Sequence, residues 1–159
     1  MSSISSKTKV YSVIGHPVSQ SFSPKIHNYL FEDIYPFAGK LREENISKGE
    51  FRFASFEYVE PELERILEQL KKENFLEGTS KKQLAERLAY YLSELNVLHP
   101  FREGNGRTNR EFIRQLALKN GYILNLKNTS PKQVLDASIK SVADTSDLEN
   151  IIEKMLESE

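Results

Sequence analysis

The chain has 159 residues, enough for one domain that buries its own core. Its 22 Lys+Arg and 23 Asp+Glu leave a formal charge of −1, which gives no electrostatic reason to expect nucleic acid or an anionic membrane as a partner. The absence of cysteine excludes disulfides and Cys-based zinc sites, and the three widely separated histidines argue against a His-rich metal site. No apolar run reaches membrane-spanning length, and the polar start lacks the apolar core of a signal peptide. We therefore expect a cytoplasmic protein.

The N-terminal third predicts a leader, a first helix and a hairpin. Residues 1–24 form a leader of uncertain role, whose last two residues, Ser23 and Pro24, suit the N-cap and the first position of a helix. Residues 41–55 alternate in polarity around Gly49, which predicts a β-hairpin. A lone two-stranded hairpin is marginal, so we expect it to lie against the helices.

From Pro61 onward the spacing of the apolar residues predicts helices. Five are expected: Pro61 to about Asn74, a capping box at Ser80 and Gln83 leading to His99, a third that ends before Gly121, a fourth from Ser130 and a fifth from Ser146. Their apolar stripes are, in order, Leu63, Ile66, Leu67 and Leu70; Leu84, Leu88, Leu92 and Leu95; Phe112, Ile113, Leu116 and Ala117; Val134, Leu135, Ile139 and Val142; and Ile151, Ile152, Met155 and Leu156. The predicted fold class is mainly α: residues 25–159 form a compact helical bundle with one β-hairpin.

The segment HPFREGNGRTNR, from His99 to Arg110, joins the second and third of these helices. Its glycines, Gly104 and Gly106, allow a ligand close to the backbone, and the unpaired N–H groups at the start of the next helix attract an anion. Arg107 and Arg110 lie three residues apart and can both reach phosphates. The sequence lacks a Walker A motif and the third glycine of a dinucleotide loop, so it predicts a different kind of phosphate site.

Two residues of this segment fit catalysis. His99 titrates near neutral pH and can take a proton from a hydroxyl. Glu103 offers a hard oxygen ligand where a phosphate-bound Mg²⁺ would sit. A structural histidine and a solvated carboxylate are the alternative interpretations.

This segment resembles the Fic-family signature HPFx[D/E]GNGRxxR at every specified position. The segments 26–40 and 45–53 resemble the opening helix and the target-binding flap of that family, so the resemblance covers residues 25–157. It implies a Fic-type helical bundle and a protein adenylyltransferase (AMPylator), which moves AMP from ATP to a Tyr, Ser or Thr hydroxyl of a target protein.

The resemblance also implies a role for each site residue. His99 would be the catalytic base, and Glu103 would hold Mg²⁺ against the phosphates of ATP. Phe101 would anchor the loop from below. The nucleotide would be bound by an anion hole and two cations, namely Gly104, Asn105, Gly106, Arg107 and Arg110. The flap residues Asn45, Ile46, Ser47 and Lys48 would bind an extended target segment by strand addition, although the hairpin could also just cover the core.

The resemblance is to stand-alone Fic toxins that pair with a small antitoxin. It suggests gyrase B or a topoisomerase IV subunit as the target, with no direct contact to membrane or nucleic acid. Transfer of another phosphate-linked group (UMP or phosphocholine), removal of AMP, and a non-catalytic nucleotide-binding module remain open as alternatives.

Residues 145–150, TSDLEN, match the family's inhibitory pattern [S/T]xxxE[G/N], whose glutamate pairs with the second arginine, here Arg110. The same residues also fit a capping box formed by Ser146 and Glu149 at the start of a helix. We therefore expect inhibition by a separate partner rather than by this segment.

The stretch from Val13 to Asn28 resembles the opening of shikimate dehydrogenase, whose paired serines, here Ser21 and Ser23, hold the carboxylate of the substrate. No dinucleotide loop follows and no room remains for a cofactor domain, so we assign this stretch no activity.

Overall fold

The structure, a computed structural model, describes residues 22–159, without the side chains of Phe22 and Ser23. Residues 1–21, which include most of the predicted leader and Ser21, therefore lie outside the described residues, whereas residues 22–24 of that leader belong to the first helix. Within this range no helix is both long and apolar enough to cross a membrane. The helices are α1 Phe22–Phe31, α2 Val59–Lys72, α3 Lys81–Leu98, α4 Asn105–Lys119, α5 Pro131–Lys140 and α6 Ser146–Met155. The strands are β1 Ser47–Lys48, β2 Phe51–Arg52, β3 Tyr122–Leu124 and β4 Leu156–Ser158.

Helix α3 lies at the centre of the bundle and packs against α2, α4, α5 and α6. Its start is fixed by the expected capping box, in which Ser80 Oγ accepts from the Gln83 N–H and Gln83 Oε1 accepts from the Ser80 N–H. The apolar stripes predicted for α2, α3 and α4 are all buried. Helix α1 packs across α4, which brings the start of the domain next to the segment 99–110.

The exposed face of α5 contradicts the prediction. Leu135 and Ile139 are 55% and 64% exposed instead of buried, and Val142, 52% exposed, lies beyond Lys140, where the helix ends. The reason lies in the small residues on the opposite face, because Ala137 is buried and Ser141 donates from its hydroxyl to Ser93 Oγ on α3 at 3.0 Å. These small side chains let α5 approach the bundle closely, so the larger apolar ones point outward.

The predicted hairpin is confirmed, but a second strand pair was missed. Strands β1 and β2 pair antiparallel around Gly49, whose φ of 61° lies in the left-handed region. Strands β3 and β4 also pair antiparallel, with Leu124 opposite Leu156. Each of these strands has three residues, too few for a visible alternation, and their partners lie far apart in sequence. Leu156, expected at the end of a helix, is the buried residue of β4.

Two helix starts and one cap also differ from expectation. Helix α1 begins at Phe22, so Ser23 and Pro24 lie inside its first turn rather than at the N-cap and the first position. Helix α2 begins at Val59, so Pro61 lies inside its first turn rather than at its first position. Helix α6 begins at Ser146 as predicted, but the capping box there is wrong. Glu149 Oε1 instead accepts from Thr145 Oγ1 at 2.5 Å, and the Ser146 hydroxyl donates to Asp144 Oδ1 at 2.6 Å.

Candidate active site

The segment 99–110 forms the turn between α3 and α4. Helix α3 ends at Leu98 because Pro100 disfavours helical geometry for the residue before it. His99 accordingly takes a left-handed conformation, with φ 49° and ψ 63°. Gly104 is also left-handed, with φ 81°, and α4 starts immediately after it. The turn therefore places the imidazole of His99 at the same junction as the N-terminus of α4.

His99 lies half-buried beneath the flap. Its ring stacks on Phe53 with centroids 3.8 Å apart, and its Nδ1 lies 3.4 Å from the carbonyl oxygen of Asn96. A carbonyl can only accept, so the proton belongs on Nδ1 and the lone pair on Nε2. Burial lowers the pKa of His99 to about 4, and the positive charges of Arg42 and Lys48 contribute. The imidazole is therefore neutral at physiological pH, as a base must be.

The start of α4 has backbone amides without helical partners. Its first intrahelical bond runs from the Thr108 N–H to the Gly104 carbonyl, so the amides of Asn105, Gly106 and Arg107 precede the ladder. No side chain from the described part of the chain caps them. The helix dipole adds positive potential at this end. These three amides form the cradle expected for a phosphate.

Both arginines of the signature lie exposed beside this cradle. Between residues 22 and 159 neither makes an ion pair with a carboxylate. The guanidinium of Arg107 lies over the ring of Phe31, 4.5 Å from its centroid, while Arg110 Nη1 approaches Gly106. Two uncompensated cations at a helix N-terminus oppose the dipole, so the site has excess positive charge that an anion would neutralise.

The loop carrying Glu103 is held from below by buried groups. The His27 Nε2–H donates to the Glu103 carbonyl at 2.8 Å, while the Gly39 N–H donates to His27 Nδ1 at 2.9 Å. The His27 ring also stacks on the fully buried Phe101, with centroids 4.0 Å apart. Both ring nitrogens are used, which fixes one neutral tautomer. The carboxylate of Glu103 itself remains exposed.

Asn105 braces the loop with its side chain. Its Oδ1 accepts from the Phe101 N–H at 2.8 Å and its Nδ2 donates to the Phe101 carbonyl at 2.7 Å. The residue is buried, so only its backbone N–H is available to a ligand.

Position 104 requires glycine for two reasons, its left-handed φ and the close approach of the Phe31 ring. A Cβ on Gly104 would lie 2.4 Å from the ring of Phe31, far inside van der Waals contact. The side chain of Phe31 thus supports both the turn and Arg107, which it contacts through its ring face.

The flap residues have distinct environments. Asn45 Oδ1 accepts from the Phe56 N–H at 2.9 Å, so this side chain braces the base of the flap. Ile46 is half-buried, and its carbonyl accepts from the Phe53 N–H. Ser47 and Lys48 are exposed and form β1. The hairpin therefore presents its first strand near His99.

Two buried polar residues of this region were missed from the sequence, His27 and Arg42. Arg42 donates to the Glu44 carbonyl two positions on, but the other partners of His27 and Arg42 lie 12 to 76 positions away. The local sequence pattern therefore gives no clear sign that these two side chains are buried.

Comparisons with known proteins show the family of this chain. The model of the Fic/DOC family matches residues 17–117, more than half of the chain. The chain belongs to the Fic/DOC family. It is 44% identical over 124 residues to the protein adenylyltransferase VbhT of Bartonella schoenbuchensis, covering 78% of this chain and 26% of that protein. It is 46% identical over 99 residues to a Salmonella typhimurium protein named probable protein adenylyltransferase Fic, covering 62% of this chain and 50% of that protein. The chain thus spans a quarter to a half of the length of these curated relatives.

A solved structure shows the same fold. The BepC protein of Bartonella tribocorum, crystallised with AMPPNP, superposes with a TM-score of 0.77 at 22% identity, covering 96% of this chain and 83% of that chain. A shorter match, 37% identical over 76 residues, is to the shikimate dehydrogenase of Methanococcus maripaludis, covering 42% of this chain and 27% of that enzyme. That match agrees with the resemblance found in the sequence, although the two serines of interest have no described side chains.

Gly104→Ala should lower the free energy of unfolding by about 1–3 kcal/mol through overpacking against Phe31, in addition to about 1–2 kcal/mol from the left-handed φ. Gly121→Ala is the matched control, since Gly121 has φ 80° but open space around it. It should lose only the smaller contribution. Urea unfolding of both variants measures the difference, and equal losses would contradict the contact with Phe31.

The stability of the protein should fall as the pH drops from about 6.5 toward about 4. The folded pKa of His99 is about 4, below the ordinary 6.5, so in this window the unfolded chain binds more protons. His99→Gln should show a smaller fall, with part of the remainder due to His27, whose pKa is also lowered by burial. Urea unfolding at pH 7 and pH 5 tests this, and identical falls in both proteins would be inconsistent with a neutral, buried His99.

Proposed function

We propose that this chain is a protein adenylyltransferase, which transfers AMP from ATP to a Tyr, Ser or Thr hydroxyl of another protein. The observation that carries the proposal is the meeting of a neutral histidine and an uncapped helix N-terminus at one junction. The curated relatives named adenylyltransferases support the reaction, and the AMPPNP bound in BepC supports ATP as the donor.

The chemistry follows from the groups present. His99 Nε2 takes the proton of the target hydroxyl as its oxygen attacks the α-phosphorus of ATP. A new P–O bond forms to the target, the bond between the α-phosphorus and the bridging oxygen breaks, and pyrophosphate leaves. The amides of Asn105, Gly106 and Arg107 stabilise the charge that develops on the phosphate oxygens. Arg110 would hold the terminal phosphate.

The residues present fit a magnesium ion carried by the nucleotide. Glu103 is an exposed carboxylate without an ion pair among the described residues, beside the phosphate cradle. No group of three or more His, Asp or Glu in the described part of the chain could hold a metal by itself. Mg²⁺ typically binds one or two carboxylates together with substrate phosphates, and when bound it would neutralise charge on them. Glu103 is the residue that would hold it.

The flap is proposed to bind the target. Its strand β1 is exposed, and an unpaired strand edge can add an extended peptide through backbone hydrogen bonds. The segment Ile46, Ser47 and Lys48 would receive the target through those backbone groups that do not face β2, while Asn45 keeps the flap in place. This mode suits many target sequences, since the backbone supplies most of the contacts.

His99→Ala should lower transfer of label from α-³²P-ATP with Mg²⁺ to proteins of a bacterial extract by at least about 100-fold, the usual contribution of a general base. Lys132→Ala, an exposed residue of α5, serves as the control and should label like the unaltered protein. Thermal unfolding checks that both variants fold. Equal labelling by the His99 variant would overturn the proposal, and labelling from γ-³²P-ATP alone would indicate a different transferred group.

We further propose that inhibition comes from a separate protein bearing the pattern [S/T]xxxE[G/N], as for a toxin restrained by an antitoxin. Glu149 already accepts from Thr145, and it makes no ion pair with Arg110 in the described residues. Helix α6 packs mainly on α3 and α5 rather than on α4, where Arg110 lies. The charge of Arg110 is therefore left for another partner or for the nucleotide.

Glu149→Gly should leave the rate of AMP transfer within about twofold of the unaltered protein, while lowering stability by about 1 kcal/mol through the flexible glycine near the start of α6. The same labelling assay and a urea unfolding curve measure the two effects. A rise in labelling of tenfold or more would show that residues 145–150 restrain the site themselves.

A further inference from the structure

The buried side chain of Arg42 connects the flap to the end of α3. Arg42 is 2% exposed. Its Nε donates to the His99 carbonyl at 2.7 Å, and its Nη2 donates to the Leu98 carbonyl at 3.1 Å. On the flap side, Nη1 donates to the Glu44 carbonyl at 2.7 Å and Nη2 donates to the Ala54 carbonyl. One guanidinium thus binds four backbone oxygens from both ends of the flap and from the end of α3.

The buried guanidinium of Arg42 has no counter-ion among the described residues. No carboxylate of the described residues pairs with Arg42. Burying an unpaired charge is costly, and here the compensation comes from carbonyl dipoles, including the negative end of α3. The last carbonyls of a helix lack partners inside the helix, so Leu98 and His99 need a donor. Arg42 is this donor for both carbonyls, at the point where α3 ends and the turn 99–104 begins.

The main chain follows the same path. The Arg42 N–H donates to the Pro100 carbonyl at 2.9 Å, and the Ala54 N–H donates to the Val97 carbonyl at 3.2 Å. Both bonds flank the residues that form β1 and β2. The two arms of the flap are therefore fixed to the segment 97–100, and the hairpin tip projects from it.

We propose that Arg42 is a positioning residue of the active site, which sets the flap at a fixed distance from His99 by clasping both flap arms to the end of α3. This inference rests on the proposed function, because it assigns the flap to target binding. The charge of Arg42 also favours the neutral form of His99, in line with the lowered pKa of that ring.

Lysine cannot replace this clasp. The guanidinium has five donors in a rigid planar fork, whereas an ammonium has three donors on one nitrogen. Arg42→Lys keeps the charge but cannot span carbonyls on opposite sides of the junction. The variant therefore separates the positioning role from the effect of charge.

The test compares Arg42→Lys and Arg42→Gln with Arg87→Lys. Arg87 is a half-buried arginine of the same helix bundle that binds Glu73 at 2.9 and 2.6 Å, away from the flap. In both Arg42 variants, hydrogen exchange of the amides in residues 45–54 should accelerate at least about tenfold, the effect of losing a charge-assisted hydrogen bond on a local opening. Labelling of extract proteins should fall by a similar factor, while Mg-ATP affinity by calorimetry stays within about twofold.

Arg87→Lys should speed exchange in α2 and α3 without a specific change in the flap. The inference is overturned if the Arg42 variants accelerate exchange equally in α2 and α5, or if the flap exchanges as in the unaltered protein. An unaltered protein that transfers no AMP would refute the proposed function, yet the exchange comparison would still decide the role of Arg42.

The unaltered protein offers a second measurement that needs no variant. The amides of Arg42 and Ala54 should be protected to the same extent, since one opening of the clasp releases both. A flap that opens while the Arg42 amide stays protected would contradict the clasp.

Discussion

The site depends on how the chain satisfies the backbone groups at the junction of α3 and α4. The last carbonyls of α3 and the first amides of α4 all lack helical partners there. The carbonyls of Leu98, His99 and Pro100 receive donors from Arg42. The amides of α4 receive no side-chain cap. The carbonyls at the end of α3 are therefore hydrogen-bonded, whereas the first amides of α4 are unpaired in the described residues. This difference favours the binding of an anion at the junction.

Distant parts of the chain keep this junction in shape. Helix α1 supplies His27 and Phe31, which support the loop at Glu103, Gly104 and Arg107. The flap supplies Phe53, which covers one face of His99. Because each contact comes from a different element, the fold of the whole bundle specifies the loop. Burial of the loop also keeps His99 neutral, so the packing that fixes its position also sets its protonation state.

The sequence predicted those features that depend on neighbours in the chain. The signature 99–110, the buried stripe of α3 and the Ser80 capping box all involve residues within a turn or two of each other, and the structure has the loop, the stripe and the cap at these positions. The large apolar residues of α5 were expected to be buried, but they are exposed. Helical spacing identifies an apolar face, yet it does not show whether the smaller residues on the opposite face will pack against the bundle instead. The capping box predicted at Ser146 is absent because Glu149 accepts from the Thr145 hydroxyl and Ser146 donates to Asp144. The pairing of β3 with β4 and the bonds of His27 and Arg42 join residues far apart, which local patterns do not encode.

The central claim is that the N-terminus of α4 binds the phosphates of a nucleotide next to His99. A titration of ¹⁵N-labelled protein with Mg-ATP, followed by amide chemical shifts, tests it most directly. The largest shifts are expected at Asn105, Gly106 and Arg107, with a smaller shift at His99. A shallow, open groove of about 410 Å³ between α5 and α6, lined by Ala137 and Ile151 among others, lies away from this loop and serves as the comparison. Shifts centred on that groove, with the loop unchanged, would show that the nucleotide does not bind at the N-terminus of α4.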